Sequence, residues 1–308
     1  MREPPFLQLT PRAVLRPWGG SRVARRFGWD AGSAVGEWWL ASCYPGMETA
    51  LHETAGNLAT WLETEGRALN CPEAIDFPIL LKFLDAEETL SLQVHPNDDV
   101  AARHGLPGGK TEAWHILDAD ANACVYLGTA PGTTCAEIMS RIEAGASNED
   151  VLSMMNRLAV RAGDTLFVKA GTLHAIAGGV SLFEVQQNSD ATYRMHDWGR
   201  GRALHLEQAR DAMIDGPPSQ IIRPEVGQDW TTLVDCSAFQ LSRAKPNAPI
   251  KIAPTDGYAL LTLLAGTGEL QGKQGTQATL SAGDTLLVLD EVELAGADLD
   301  LLLVQPGL

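Results

Sequence analysis

Short apolar runs separated by turn residues dominate this chain, and few of them are long enough for a helix. Ser91-Leu92-Gln93-Val94-His95 alternates with a period of two, so it predicts a strand whose residues 91, 93 and 95 share one face. Pro96 and Asn97 end that strand, because proline cannot donate to a ladder and asparagine favours turns. After a loop, Lys110-Thr111-Glu112 opens a second run through Ala113, Trp114, Ile116 and Leu117, with residues 110 and 112 on a common face. Phe77 to Leu84 reads as a buried strand interrupted by one charge, Lys82. A buried lysine is costly unless paired, so Lys82 either reaches a site or ends at the surface. Residues 6–50 read as short strands and loops. Asn57 opens a short helix toward Leu69. Thr134-x-x-Glu137 is a capping box for a helix over Ala136 to Glu143, Ser147 caps another over Val151 to Leu158, and helical signals cluster only there.

The pattern also repeats. Arg161-Ala-Gly-Asp-Thr-Leu-Phe-Val168 matches Ser281-Ala-Gly-Asp-Thr-Leu-Leu-Val288 at six of eight positions. Gly216-Pro217-Pro218-Ser219 disfavours both helix and strand and predicts a boundary, giving domains 1–218 and 219–308. Beyond it, Leu260 to Leu264, Gly268 to Leu270, Thr285 to Leu289 and Leu299 to Val304 read as strands joined by glycine turns. Many short strands with regular turns indicate a mainly β fold, a sandwich or jelly roll.

Composition excludes several classes. With 39 acidic and 23 basic residues the formal net charge is −16, which argues against nucleic acid or an anionic membrane as partner. The start lacks the apolar core of a signal peptide, and no run approaches the roughly 20 apolar residues of a membrane helix. Cys43, Cys71, Cys124, Cys135 and Cys236 are odd in number and form no CxxC pair, so a reduced, cytoplasmic protein is expected.

Gln93 and His95 from one strand and Glu112 from the next are an open nitrogen and oxygen set suited to a divalent ion such as zinc. His174 would complete it. All seven histidines lie at or before residue 205, so only the first copy of the repeat carries candidate ligands. The competing reading is a strand histidine satisfied within the core or at the surface.

These segments carry a family resemblance. Gly163-x5-Lys169-x-Gly171-x2-His174 resembles the second motif of cupin jelly rolls, with Lys169 where proline is usual. LSLQVHPND, GKTEAWHIL, GTLHAI and FEVQQNSDATYRMHDWGR, in that order, resemble class I mannose-6-phosphate isomerases of the short bacterial type. Trp18-Gly19-Gly20 and Gly36-Glu37-x-Trp39 fit as well. The resemblance runs from about residue 15 to 215; the C-terminal third is similar only as a second, degenerate cupin.

It implies two cupin units with a few short helices inserted in the first. It also implies one zinc per chain on Gln93, His95, Glu112 and His174, the positions that spacing selects. The implied activity is metal-dependent interconversion of mannose 6-phosphate and fructose 6-phosphate through a cis-enediol. By the same resemblance Ser91 and Lys82 lie around the substrate phosphate. Glu184 and Arg194, ten residues apart, match the family's pair after the last ligand, and Lys110 borders the pocket. Glu184 is nominated as base and Arg194 as stabiliser of the anionic intermediate. Lys110 competes for the base's role, since a lysine near a cation is pushed toward neutrality. The other reading of Glu184 is a strand carboxylate paired with Arg194. Arg200 and Arg202 follow on a loop shorter than is usual in relatives; they either contact phosphate or face solvent and balance nearby acids. A cupin dioxygenase and a non-catalytic sugar-binding paralogue are the alternatives. The expected partner is a small sugar phosphate, and the expected state a monomer or weak homo-oligomer.

Overall fold

The computed structural model describes residues 4–52, 55–65, 69, 77–216 and 219–307. The fold is mainly β, as the pattern predicts. It divides into two compact units. One comprises Met1–Ala13, Trp38–Lys82 and Pro224–Leu308, and the other Val14–Glu37 and Phe83–Arg223. The C-terminal strands are thus joined by N-terminal segments, through Phe6–Thr10 pairing antiparallel with Thr285–Val288. Pro217 and Pro218, at the expected boundary, lie outside the described residues, as does Cys71.

In the first unit a nine-stranded sheet is centred on two long strands, Ala259–Gly272 and Val292–Pro306. Leu261, Leu263, Leu270, Leu286, Leu294 and Leu301 form its core.

The second unit carries the sequence motifs on two sheets. One has the order Ile221–Ile222, Thr165–Val168, Glu112–Ala119, Val180–Gln187, then Ile79–Ala86, of which Phe83–Ala86 belong to this unit. The other is five-stranded: Tyr193–His196, Leu92–Val94, His174–Ile176, Cys124–Thr129, Met155–Ala159. Trp114, Ile116, Leu166, Val180 and Leu182 from one sheet meet Val125, Leu127 and Ile176 from the other in one core. Strand register sets the character of each face. Leu182 pairs with Ile116, Glu184 with Trp114, and Gln186 with Glu112. Directly opposed residues share a face, so this inward face is apolar at one end and polar at the other. The outward residue Phe183 packs instead on Phe83, with ring centroids 5.8 Å apart.

The repeated octapeptide makes the same turn twice. Asp164 N–H donates to Arg161 O and Asp284 N–H to Ser281 O. Each Asp carboxylate accepts from the residue three before it, at 3.0 Å and 2.7 Å. Gly163 and Gly283 sit at φ 91° and 98°, the positive value that the third position of such a turn requires.

Helices are more widespread than expected. Leu58–Glu65 and Cys135–Glu143 fall where predicted, and Thr134 and Glu137 form the full capping box. Asn148–Ser153 is capped by Ser147 but ends early, because Met155–Ala159 becomes a strand. Arg22–Phe27, Asp98–Arg103 and Leu206–Ala212 are additional helices. The second occupies the presumed loop after Pro96. Asn97 is its N-cap, accepting from Val100 N–H, and Asp98 and Asp99 fill its first turn, favourable for the helix dipole. Asp98 also accepts from Gly109 N–H and the Gln187 amide, while Lys110 N–H donates to Pro96 O. Gly109 is needed here, because a Cβ would lie 2.7 Å from the Asn97 carbonyl carbon. The short helix therefore holds the segment that delivers Lys110 and Glu112. Replacing Asn97 with Ala removes the cap and should cost about 1 kcal/mol, read as a lowered urea midpoint.

Candidate metal centre and its surroundings

His174 pairs directly with Gln93, and Gln93 with Arg194, giving one row across three strands of the five-stranded sheet. Glu112 reaches the same place from the other sheet. Ligand atoms of His95, Glu112 and His174 lie within 4.8 Å of one another, and each residue is 1% exposed. His95 Nε2 is 3.3 Å from Glu112 Oε1, and His174 Nε2 is 3.9 Å from Glu112 Oε2. Gln93 joins through its side-chain nitrogen, 3.2 Å from His174 Nε2, while its Oε1 accepts from Ser91 Oγ at 3.1 Å. Rotation about the terminal bond exchanges the oxygen and nitrogen of a side-chain amide. A half-turn of this amide puts Oε1 beside His174.

The backbone fixes both imidazoles. His95 Nδ1 is 2.8 Å from Ala191 O and His174 Nδ1 is 2.9 Å from Thr172 O. A carbonyl only accepts, so each Nδ1 carries the proton and each Nε2 is a bare lone pair directed at the cluster. Thr172 lies in the turn after Lys169, which closes by Thr172 N–H to Lys169 O, so lysine in place of proline leaves that turn intact. Burial lowers both imidazoles, aided by Lys110, against the opposing pull of Glu112; His174 falls to about 3. They are neutral, as metal ligands must be. Glu112 Oε2 has no hydrogen-bond partner among the described residues although it is buried. Two bare imidazole nitrogens and an orphaned carboxylate oxygen fit a divalent cation with nitrogen and oxygen preference.

Lys110 is the site's own cation. Its Nζ lies 2.6 Å from Glu112 Oε1 and 3.4 Å from His95 Nε2. Burial alone would lower it, but the Glu112 and Glu184 carboxylates raise it above its ordinary value. In return, although burial works the other way, Lys110 and His95 hold Glu112 well below its usual range. Lys110 is therefore charged here; the expected neutral lysine requires a divalent charge beside it. Glu184, 4% exposed, accepts from Trp114 Nε1 at 2.9 Å, and the Trp114 ring stands edge-on to His174.

The arginines collect around Asp197. Arg202 forks it through Nε and Nη2, and Arg194 Nε and Arg200 Nη1 each lie 3.9 Å from Oδ1. Arg194 also donates to Ala203 O, and Arg200 to Thr89 O and Glu88. Arg194 Nε and Arg200 Nη1 are buried and make no hydrogen bond among the described residues. Lys82 belongs to the other unit, buried on its strand with Nζ 4.5 Å from the Trp39 ring centroid.

Comparison with known proteins gives this arrangement its context. The family description "Phosphomannose isomerase type I, catalytic domain" matches residues 6–120. A mannose-6-phosphate isomerase of Streptococcus mutans serotype c is 34% identical, covering 98% of this chain and 97% of its own. This chain belongs to the mannose-6-phosphate isomerase family. The crystal structure of the Bacillus subtilis mannose 6-phosphate isomerase superposes with a TM-score of 0.82 at 27% identity, covering 98% of this chain and all of that one. A mannose 6-phosphate isomerase bound with zinc and yttrium shares the fold, with a TM-score of 0.79 at 16% identity over 99% of this chain and 100% of its own.

Within this isomerase scaffold, sequence reasoning did not find Asp197 as the partner of three arginines, nor Gln186 across from Glu112. Both stand inside the quoted motif FEVQQNSDATYRMHDWGR, but no spacing rule distinguishes them from their neighbours.

The neutral histidines have a consequence for stability. Unfolded histidine titrates near 6.5 and His174 at about 3. Between those values the unfolded chain takes up a proton that the folded chain refuses, so stability falls as pH drops. The depressed Glu112 acts the same way only below the ordinary carboxylate range near 4.5. The urea midpoint of metal-free protein should therefore fall from pH 6.5 to 5, and less steeply in His174→Gln.

Proposed function

We propose that the protein is a metal-dependent aldose–ketose isomerase that interconverts mannose 6-phosphate and fructose 6-phosphate through a cis-enediol. Membership of the family over nearly the whole chain supports this reading. The observation that carries it to mechanism is the pair of imidazoles held by backbone carbonyls with bare Nε2 atoms beside Glu112. One zinc per chain would be held by His95, Glu112 and His174, with Gln93 as fourth ligand after its amide turns. Bound there, it supplies Lewis acidity toward the sugar's carbonyl and hydroxyl oxygens.

The remaining work falls to side chains. Moving a proton between C2 and C1 needs a base at the carbon, and Glu184, oriented by the Trp114 indole, takes and returns it. Lys110, held beside Glu112, donates toward the oxygens as negative charge develops. Arg194, in the same row as Gln93 and His174, steadies the anionic intermediate. At the phosphate end, the unused N–H of Arg200 provides a charge-assisted donor, with Arg202 and Asp197 holding the cluster in order. Ser91 supports Gln93 and supplies a further hydroxyl on that face.

A coupled assay for fructose 6-phosphate formation from mannose 6-phosphate tests the activity, and its absence would overturn this reading. Elemental analysis should give about one divalent ion per chain, largely lost in His174→Ala. Glu184→Gln should retain the ion but lower kcat at least ~100-fold. A nearly intact kcat would move the base's role to Lys110, testable by Lys110→Met. Arg200→Ala or Arg202→Ala should raise KM for mannose 6-phosphate while leaving turnover of free mannose unchanged. Equal response of both sugars, or of neither, would remove this loop from the phosphate site.

A further inference from the structure

Gln186 is fully buried on the strand Val180–Gln187, directly opposite Glu112 and two residues from Glu184. Its side-chain nitrogen donates to Gln187 O at 2.8 Å and Ser189 O at 2.7 Å. Both amide protons are thereby used, and the alternative amide orientation would set oxygen against two carbonyls. Gln186 Oε1 is buried and has no donor among the described residues. Leaving a buried acceptor unsatisfied is costly, and proteins keep such groups at few places. Asn188 also has an unpartnered amide, but nothing among the described residues fixes it. Gln186 is different: a clamped acceptor on the polar end of the inward face, where opposed Cβ atoms lie about 5 Å apart. Unlike Glu112 it brings no charge to a cation, and its nitrogen is committed to two backbone carbonyls. Its natural counterpart is an O–H group.

We propose that Gln186 Oε1 accepts a hydrogen bond from a hydroxyl of the bound open-chain sugar phosphate, making Gln186 a substrate-positioning residue at the reacting end. This rests on the isomerase reading above. The bond would fix one hydroxyl relative to Glu184 and the imidazole pair, and so discriminate between sugars by the presence and direction of that group. A neutral acceptor suits this task, since a third carboxylate beside Glu112 and Glu184 would add like-charge repulsion.

The test is isothermal titration of metal-loaded protein with unreactive hexitol 6-phosphates, intact or lacking the hydroxyl at C1, C2 or C3. One deoxy compound should bind wild type about tenfold more weakly than the intact compound, the usual effect of stranding a buried acceptor. In Gln186→Met that ratio should collapse to about one. Gln186→Asn withdraws the amide by one methylene and should collapse the ratio too, serving if the Met variant does not fold. Unchanged metal content, and unchanged affinity of both variants for the compound already lacking that hydroxyl, separate the acceptor from any disturbance of residues 187–189. Binding without any ratio in wild type, or a ratio unchanged in both Gln186→Met and Gln186→Asn, would overturn the proposal while leaving the isomerase reading intact. A ratio unchanged while metal content falls would assign Oε1 to water on the metal and also overturn it. If wild type neither binds these compounds nor turns over mannose 6-phosphate, both readings fall.

Discussion

A carboxylate that is 1% exposed stays ionised only if positive charge is brought to it, and Glu112 governs its surroundings through that requirement. Lys110 meets one oxygen, and two imidazoles converge on the group without carrying charge themselves. Removing Lys110 or filling the position with a hydrophobe would leave a buried anion unpaired, a costly change. The helix capped by Asn97, the close approach at Gly109 and the Asp98 contacts all serve to bring Lys110 to this point. The site is thus an electrostatic arrangement first, and the strands are its means of delivery.

The two copies of the octapeptide separate what the fold needs from what the chemistry needs. Turn, glycine and aspartate are preserved in both, down to the same backbone hydrogen bonds. The strand after the first copy leads through Gly171 to His174, whereas no histidine comes after the second. Thr165 bonds His115 in one unit and Thr285 faces Thr262 in the other, so the threonine serves packing in each. The turn and strand of this repeat therefore stand without ligands in one copy and lead to a ligand in the other.

Much of this was legible from spacing. Residues two apart on a strand must share a face, which places Gln93 with His95 and Lys110 with Glu112 before any coordinates are known. The echo at 161–168 and 281–288 located corresponding strands, and the capping boxes located two helices. What escaped depends on approach in space. The helix Asp98–Arg103 has six residues, too short for periodicity, and only Asn97 with two following acids marked it. Pairing of Phe6–Thr10 with Thr285–Val288 spans most of the chain, and nothing in either strand's composition names its partner. Asp197 collects arginines from positions 194, 200 and 202 because the backbone turns at Trp198, Gly199 and Gly201, all with positive φ. A run of basic residues in sequence does not reveal which acid it folds around.

The carbonyls of Ala191 and Thr172 do more than orient two rings. They set both imidazoles during folding, so the ordering entropy of the two histidines would already be spent when an ion arrives. In small metal-dependent domains the ion is a staple, and the chain unravels when it is withdrawn. Here a cation would be a guest in a nearly finished room, able to leave and be replaced by another of similar size and preference with both imidazoles held and only the Gln93 amide turning. Which ion occupied such a centre would then be decided by supply in the surroundings as much as by the protein.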